Sequence, residues 1–287
     1  MNLIVQGIEV ENSDLRAIAK LSGADQIERI TGQAFRLLNA NPHQDIAGYC
    51  TDAHLDYAFV DPTIQLNDFG LIAMDMDSTL LAIETIDEVA DMHQIKAEVA
   101  AITLSTMRGD IGFEESITRR TALLEGLHQD ALQKVYDERV KLSPGAENML
   151  KFAKIANIKT MVISGGFTFF TDRIKERLAL DYAVANTLGI ENNQVTGKVV
   201  GTIIGSEGKA EALRLVRDAL GLKREQVIAM GDGANDLAML AEAGTSIAYH
   251  AKPVVQEQAT YAFNHVGLDG LINLFNPATS SFNGIDQ

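Results

Sequence analysis

Positive charge is in short supply in this chain: 24 lysines and arginines stand against 39 aspartates and glutamates in 287 residues, a formal charge of −15. That balance favours solubility and excludes the diffuse attraction to phosphate backbones on which nonspecific nucleic-acid binding depends. It leaves room for a locally basic site. Cysteine is scarcer still. Cys50 is the only one, so no internal disulfide can form, and a reducing cytosol suits the chain. No apolar run approaches the length of a membrane span. The opening MNLIVQGIEV lacks a basic segment and meets Glu9 and Glu11 early, which argues against a signal peptide. The expectation is a cytoplasmic protein with neither nucleic acid nor membrane as a partner.

What is present is ordinary in bulk, 46% apolar, and long enough for one large domain or two smaller ones. Residues 1–67 read as a small α/β appendage. It has a strand over Leu3–Val10, helical stretches over Asp14–Leu21 and Ile27–Leu38, and a second strand within Ala53–Val60, before the Asp61-Pro62 break. No cluster of catalytic residue types appears there, and His43 and His54 read as exposed loop or strand residues. A regulatory or dimerising role is open for this unit, and a homodimer for the whole. Residues 68–287 alternate strands and helices, with one interruption. From Glu84 to Lys141 the pattern is almost purely helical, apolar residues recurring at three- and four-residue spacing. So long a helical run exceeds a single crossover and reads as a cap inserted at about 84–141. The expected fold is α/β: a Rossmann-like parallel sheet with a helical cap over its strand ends and the appendage beside it.

The chain is organised around Phe69–Leu81, FGLIAMDMDSTLL. Gly70–Met74 reads as a central strand covered on both faces. It delivers Asp75 and Asp77 to the carboxyl end of the strand, where open α/β sheets bind their ligands. Two carboxylates so close repel unless a cation or a proton lies between them. Taken alone, DMDST is explained equally well by a capped turn. Two further strand ends weigh against that. Lys159–Ile163 stops at Ser164-Gly165-Gly166, and Gln226–Met230 stops at GDGAND, Gly231–Asp236, with Lys209 at the start of the preceding helix. If these strands are neighbours, their ends converge. Carboxylates from separate loops supply the hard oxygens Mg²⁺ prefers. The Ser164 hydroxyl with backbone N–H groups suits a phosphate, and Lys209 adds a point charge for it.

DMDST, Ser164, Lys209 and GDGAND resemble the four motifs of the haloacid dehalogenase-like phosphatases, in kind and in spacing, over roughly residues 69–275. The ETIDE run from Glu84 and the stretch MRGDIGFEESITRR, Met107–Arg120, bring the resemblance closer to the phosphoserine phosphatases. Met76 stands where many relatives have phenylalanine, and strand alternation turns its side chain away from the site. The resemblance implies Mg²⁺-dependent hydrolysis of O-phospho-L-serine, the last step of serine biosynthesis, through an aspartyl-phosphate. It implies Asp75 as nucleophile, Asp77 as acid and base, and Lys209, Ser164 and Gly165 around the phosphate. One Mg²⁺ per site would rest on Asp75, Asp232 and the backbone carbonyl of Asp77. Asn235 would point toward the phosphate or Lys209, and Asp236 toward the surroundings of the metal. In the cap, Glu84 would bind the ammonium and Arg120 the carboxylate, while Met107 and Phe113 exclude water. Helical spacing puts Phe113, Ile117 and Arg120 on one face and turns Arg119 elsewhere.

Two other readings stay open. One is a phosphotransferase of the same fold that passes the phosphoryl group from Asp75 to an alcohol. The other is a non-catalytic module phosphorylated on Asp75, against which the cap and Asp77 both argue.

Overall fold

The computed structural model describes residues 1–275, apart from the side chain of Met107; the polar tail from Pro277 lies outside the described residues. The appendage comprises β1 (Asn2–Gln6), α1 (Asn12–Ser22), β2 (Gln26–Arg29), β3 (Ala34–Leu38), α2 (Gln44–Asp52) and β4 (Asp56–Val60). Its strands form an antiparallel sheet in the order β2-β3-β1-β4. Ile27–Leu38 is therefore a hairpin and not a helix. Its apolar residues satisfy a helical and a strand period alike, and pairing decides: Leu37 and Phe35 lie opposite Leu3 and Val5 of β1. The first strand is buried on both faces. Leu3 and Val5 pack with Leu15, Ile18, Ile46 and Cys50 beneath the appendage helices. Ile4 turns the other way, joining Ala58 and Val60 of β4 in the larger core.

That core begins with β5 (Leu71–Asp75) and continues through the cap helices α3 (Thr85–Met92), α4 (Lys96–Arg108), α5 (Phe113–Ala122) and α6 (Gln129–Arg139). Then follow α7 (Ala146–Ile155), β6 (Lys159–Phe167), α8 (Thr168–Leu178), β7 (Tyr182–Glu191), β8 (Gln194–Val200), α9 (Ser206–Ala219) and β9 (Val227–Gly231). The chain ends through α10 (Leu237–Ala241), β10 (Thr245–Tyr249), α11 (Pro253–Gln256), β11 (Tyr261–Phe263) and α12 (Gly270–Leu274). The sheet order is β11-β10-β9-β5-β6-β7-β8, parallel throughout except for the β7–β8 edge. As expected, β5 is central and wholly buried, with β9 and β6 as its neighbours. The β7–β8 turn is made by Asn192 and Asn193, both at positive φ, 49° and 64°, as a two-residue turn matched to strand twist requires. No helix among the described residues is long and apolar enough to cross a membrane.

The cap is attached twice. Its two linkers form a short ribbon, with Ala82 N–H donating to Lys141 C=O at 2.9 Å and Ser143 N–H to Leu80 C=O at 3.0 Å. Its far side is tied to the β7–β8 hairpin by Gly126 N–H to Val195 C=O at 2.9 Å, Val195 N–H to Leu127 C=O at 2.8 Å and Gln129 N–H to Asn193 C=O at 2.8 Å.

Candidate active site

Asp75 is the last residue of β5, and the chain leaves it through a wide turn closed by Leu81 N–H to Met76 C=O at 2.8 Å. Ser78 sits in the left-handed region at φ 57° within that turn. The kink sends two carboxylates that are neighbours in sequence into different surroundings. Asp75 Oδ1 lies 2.7 Å from Lys209 Nζ and accepts the Met76 N–H at 2.7 Å. Asp77 instead accepts neutral donors, Thr85 N–H at 2.8 Å and the Ser164 hydroxyl at 3.2 Å. Burial raises both carboxyl pKa values above the ordinary range. At Asp75 the charge of Asp236 adds to that push and Lys209 opposes it; at Asp77 the hydrogen bonds oppose it.

Lys209 is the fourth residue of α9, one place deeper than a first-turn position, with Gly205 ahead of the helix. Its side chain is 1% exposed and bridges Asp75 and Asp236, each at 2.7 Å. Burial favours neutral lysine, but the charges of Asp236 and Asp75 overcome it and hold its pKa above the usual value. The second oxygen of Asp236 accepts Asp232 N–H at 3.2 Å and Gly233 N–H at 3.0 Å, closing the GDGAND loop. Gly231 permits this: a Cβ there would fall 2.7 Å from the Asp236 side chain. Asp236 thus makes the lysine contact that sequence reasoning offered to Asn235. The Asn235 amide folds over its own loop, its Oδ1 2.2 Å from where a Cβ on Gly233 would stand.

Carboxylate oxygens of Asp75, Asp232 and Asp236 lie within 4.8 Å of one another. Three such groups around one lysine leave a buried negative centre. Burial, then Asp236, pushes Asp232 up to about 6. A small divalent cation would relieve that repulsion, and an all-oxygen donor set is what Mg²⁺ takes. Asp236, expected as an outer support, belongs to this trio; the Asp77 carboxylate does not.

The cap reaches the same crevice. Phe113 opens α5, and its ring stands against the backbone of the core: a Cβ on Gly165 would lie 2.7 Å from it and one on Gly205 3.3 Å. Two turns later Arg120 is half-buried, with burial lowering its pKa against the charges of Glu84, Asp87 and Asp77. Arg119 is exposed and pairs with Glu115 on the outer face, as its helical position requires. Glu84 stands open to solvent at the crevice mouth, held by the Ser78 hydroxyl at 2.7 Å. Crowding by protein around its carboxyl, then Asp77, raises its pKa. The side chain of Met107 lies outside the described residues.

Several participants carried little sequence signal. Thr79 donates to Asp232 Oδ1 at 3.0 Å across 153 residues of chain, and Ser78, Asp87, Asn186 and Gly205 join the site only through the fold. Ser78 and Thr79 had a cue as part of DMDST, and Asp87 as part of ETIDE; Asn186 and Gly205 had none.

Residues 69–244 match the family model of the haloacid dehalogenase-like hydrolases, and residues 3–46 match a domain of unknown function, DUF4072. A curated protein of Polaromonas sp. named phosphoserine phosphatase is 49% identical over 218 residues, 74% of this chain and 92% of its own. A solved HAD family hydrolase from Salmonella enterica serovar Typhi superposes with a TM-score of 0.87 at 32% identity, covering 96% of this chain and 98% of that one. A probable phosphoserine phosphatase from Vibrio cholerae, in unliganded form, gives 0.84 at 32% identity, covering 96% and 86%. At that coverage both structures share the appendage as well as the core.

Proposed function

The chain belongs to the haloacid dehalogenase-like hydrolases, and from that premise we propose that it is a phosphoserine phosphatase, releasing L-serine and phosphate from O-phospho-L-serine as the last step of serine biosynthesis. One observation carries the choice of substrate. Arg120 Nε is buried and has no hydrogen-bond partner among the described residues, while Glu84 lies near enough for the two charges to interact. The amino-acid end of the substrate supplies a partner to each: its carboxylate to the guanidinium, its ammonium to Glu84. Phe113 seals the side of the crevice against water, and the phosphate is left to the core.

Asp75 attacks phosphorus, forming an acyl-phosphate bond as the bond from phosphorus to the seryl oxygen breaks. Asp77, whose burial raises its pKa and so favours the protonated form, gives its proton to that oxygen. It then takes a proton from water, whose oxygen bonds to phosphorus as the bond to Asp75 breaks and phosphate is released. Lys209, the Ser164 hydroxyl, itself held by the Gly166 N–H at 2.8 Å, and the Gly165 backbone at the irregular end of β6 offset the charge on the phosphoryl oxygens. Asn235 lies in the GDGAND loop, its amide beside Gly233. A Mg²⁺ ion on Asp75, Asp232 and the Asp77 carbonyl, within reach of Asp236, would add the positive charge that a carboxylate needs to approach a phosphate dianion. A cytoplasmic setting accords with Cys50, whose thiol burial pushes up to about 12 and out of ready redox chemistry.

The test is phosphate release from a panel of phosphorylated metabolites, with Mg²⁺, with Ca²⁺ and with chelator. O-phospho-L-serine should be preferred over phosphoethanolamine, which lacks the carboxylate, and over sugar phosphates. Chelator should stop turnover. Ca²⁺ should not restore it, because the larger ion accepts more ligands and can hold both oxygens of Asp75. Equal turnover of sugar phosphates would refute the substrate assignment, and full turnover in chelator the metal.

A further inference from the structure

Asn186 touches none of the reacting groups, yet it is 1% exposed and all its polar capacity is directed at two segments of the site. It lies on β7 where pairing with β6 ends, at Phe167↔Asn186, and pairing with β8 begins, at Thr187↔Val200. Its Nδ2 donates to Gly165 C=O at 2.8 Å and, more weakly, to Ile204 C=O at 3.4 Å; its Oδ1 accepts Ile204 N–H at 2.7 Å. This amide orientation follows from its partners, since a flip would set oxygen against carbonyl and NH₂ against N–H.

Gly165 follows Ser164 in the stretch where the β6–β7 register shifts. Ile204 precedes Gly205, whose C=O accepts the Lys209 N–H at 2.9 Å. Gly165 and Gly205 both also lie against the Phe113 ring. One side chain therefore ties together both backbone segments that receive the aromatic residue of the cap. Buried backbone groups in irregular segments need partners, and here those partners also set the spacing of the slot.

We propose that Asn186 is a positioning residue for substrate selection. It holds Gly165 and Gly205 at the separation that seats Phe113, and so fixes the depth at which Arg120, on the same face of α5, meets the carboxylate of the substrate. The proposal rests on the reading of Arg120 as the carboxylate ligand. A merely structural asparagine would, when changed, lower stability and all activities together. A positioning residue acts through Phe113, and its loss should vanish once Phe113 is gone.

The experiment compares kcat/KM for O-phospho-L-serine and for phosphoethanolamine in the wild type, Asn186→Asp, Phe113→Ala and the double variant. Asn186→Asp keeps the acceptor for Ile204 N–H and removes the donor to Gly165. The expected result is a loss of roughly tenfold or more with O-phospho-L-serine, a loss of less than about threefold with phosphoethanolamine, and a double variant no worse than Phe113→Ala alone. Equal losses on both substrates, or losses that multiply in the double variant, would overturn the proposal. Should Asn186→Asp fail to fold, Gly205→Ala takes its place. It leaves the asparagine bonds intact and puts a methyl 3.3 Å from the Phe113 ring. It should show the same substrate-dependent loss, and an even loss on both substrates would again refute the slot. A wild type that does not favour O-phospho-L-serine would instead sink the substrate assignment, a failure visible before any variant is made.

Discussion

The cap and the appendage are both additions to one α/β core, yet they differ in what they add beyond shared apolar packing. The cap stands over the carboxyl ends of β5 and β6 and meets the core through a short ribbon, a hairpin edge, the Phe113 ring on glycines, and apolar side chains such as Val89, Ile117 and Leu132 in the shared core. Its longest helix, α4, buries Val99 and leaves Leu104 exposed. The appendage sits at the far edge of the sheet; it reaches the same apolar cluster through Ile4, Ala58 and Val60, and has a second cluster of its own around Leu3, Val5 and Ile18. Asp56, 3% exposed, accepts the N–H groups of Asn264, His265 and Val266 at 2.8, 2.9 and 3.0 Å. The difference teaches a division of labour. Both layers bury apolar side chains in the core, but the cap adds Phe113 and Arg120 at the crevice, whereas the appendage adds a second apolar cluster and a clamped loop, which contribute to stability.

If the chemistry belongs to the core alone, its loss should be the largest effect. Asp75→Asn should lower turnover by roughly four orders of magnitude or more with every phosphoester, with cap and appendage intact. Asp77→Asn should be severely slow with O-phospho-L-serine. Given a donor whose leaving group needs little protonation, it should accumulate an acid-stable, base-labile phosphoprotein. Rapid-quench labelling checks this, and label on a serine would be the contrary result.

The cap should then govern choice. Arg120→Ala removes one charge of a closed, paired site, at a cost of about 2–5 kcal/mol. This predicts a fall of roughly two orders of magnitude in kcat/KM for O-phospho-L-serine, and much less for phosphoethanolamine. Arg119→Ala, which loses only an exposed pair with Glu115, should stay within about twofold. The reverse order would break the assignment of the cap face.

The appendage should affect activity least. Asp56→Ala leaves the backbone donors of Asn264, His265 and Val266 without their carboxylate acceptor, a loss of about 2–4 kcal/mol where water reaches them incompletely. The expected outcome is a melting temperature lower by roughly 5–10 °C with kcat/KM within about twofold. A large activity loss at unchanged melting temperature would show that the appendage takes part in the site.

Much of this was legible in the residues themselves. The run from Gly70 to Met74 and the GDGAND motif marked two strand ends, and Ser164 the point where β6 turns irregular before it ends at Phe167. Strand alternation and helical spacing placed Asp75 beside Asp77, and Phe113 and Arg120 on one face with Arg119 off it. These are local properties, set by the repeat of the backbone. The hairpin at Ile27–Leu38 was hidden because its apolar spacing serves two periods, and only the β1 partner separates them. Asn186 and Asp56 were hidden for a stronger reason. Each is a single polar residue whose meaning lies in backbone groups 18 to 21 residues away in one case and 208 to 210 in the other. By itself, the sequence determined which groups stand at the strand ends and which face of the cap helix they meet, because these follow from periodicity. Only the tertiary structure decided which carboxylate takes Lys209, which glycines receive Phe113 and what clamps the appendage. Those choices rest on satisfying buried polar groups, whose partners come together only when the whole chain is packed.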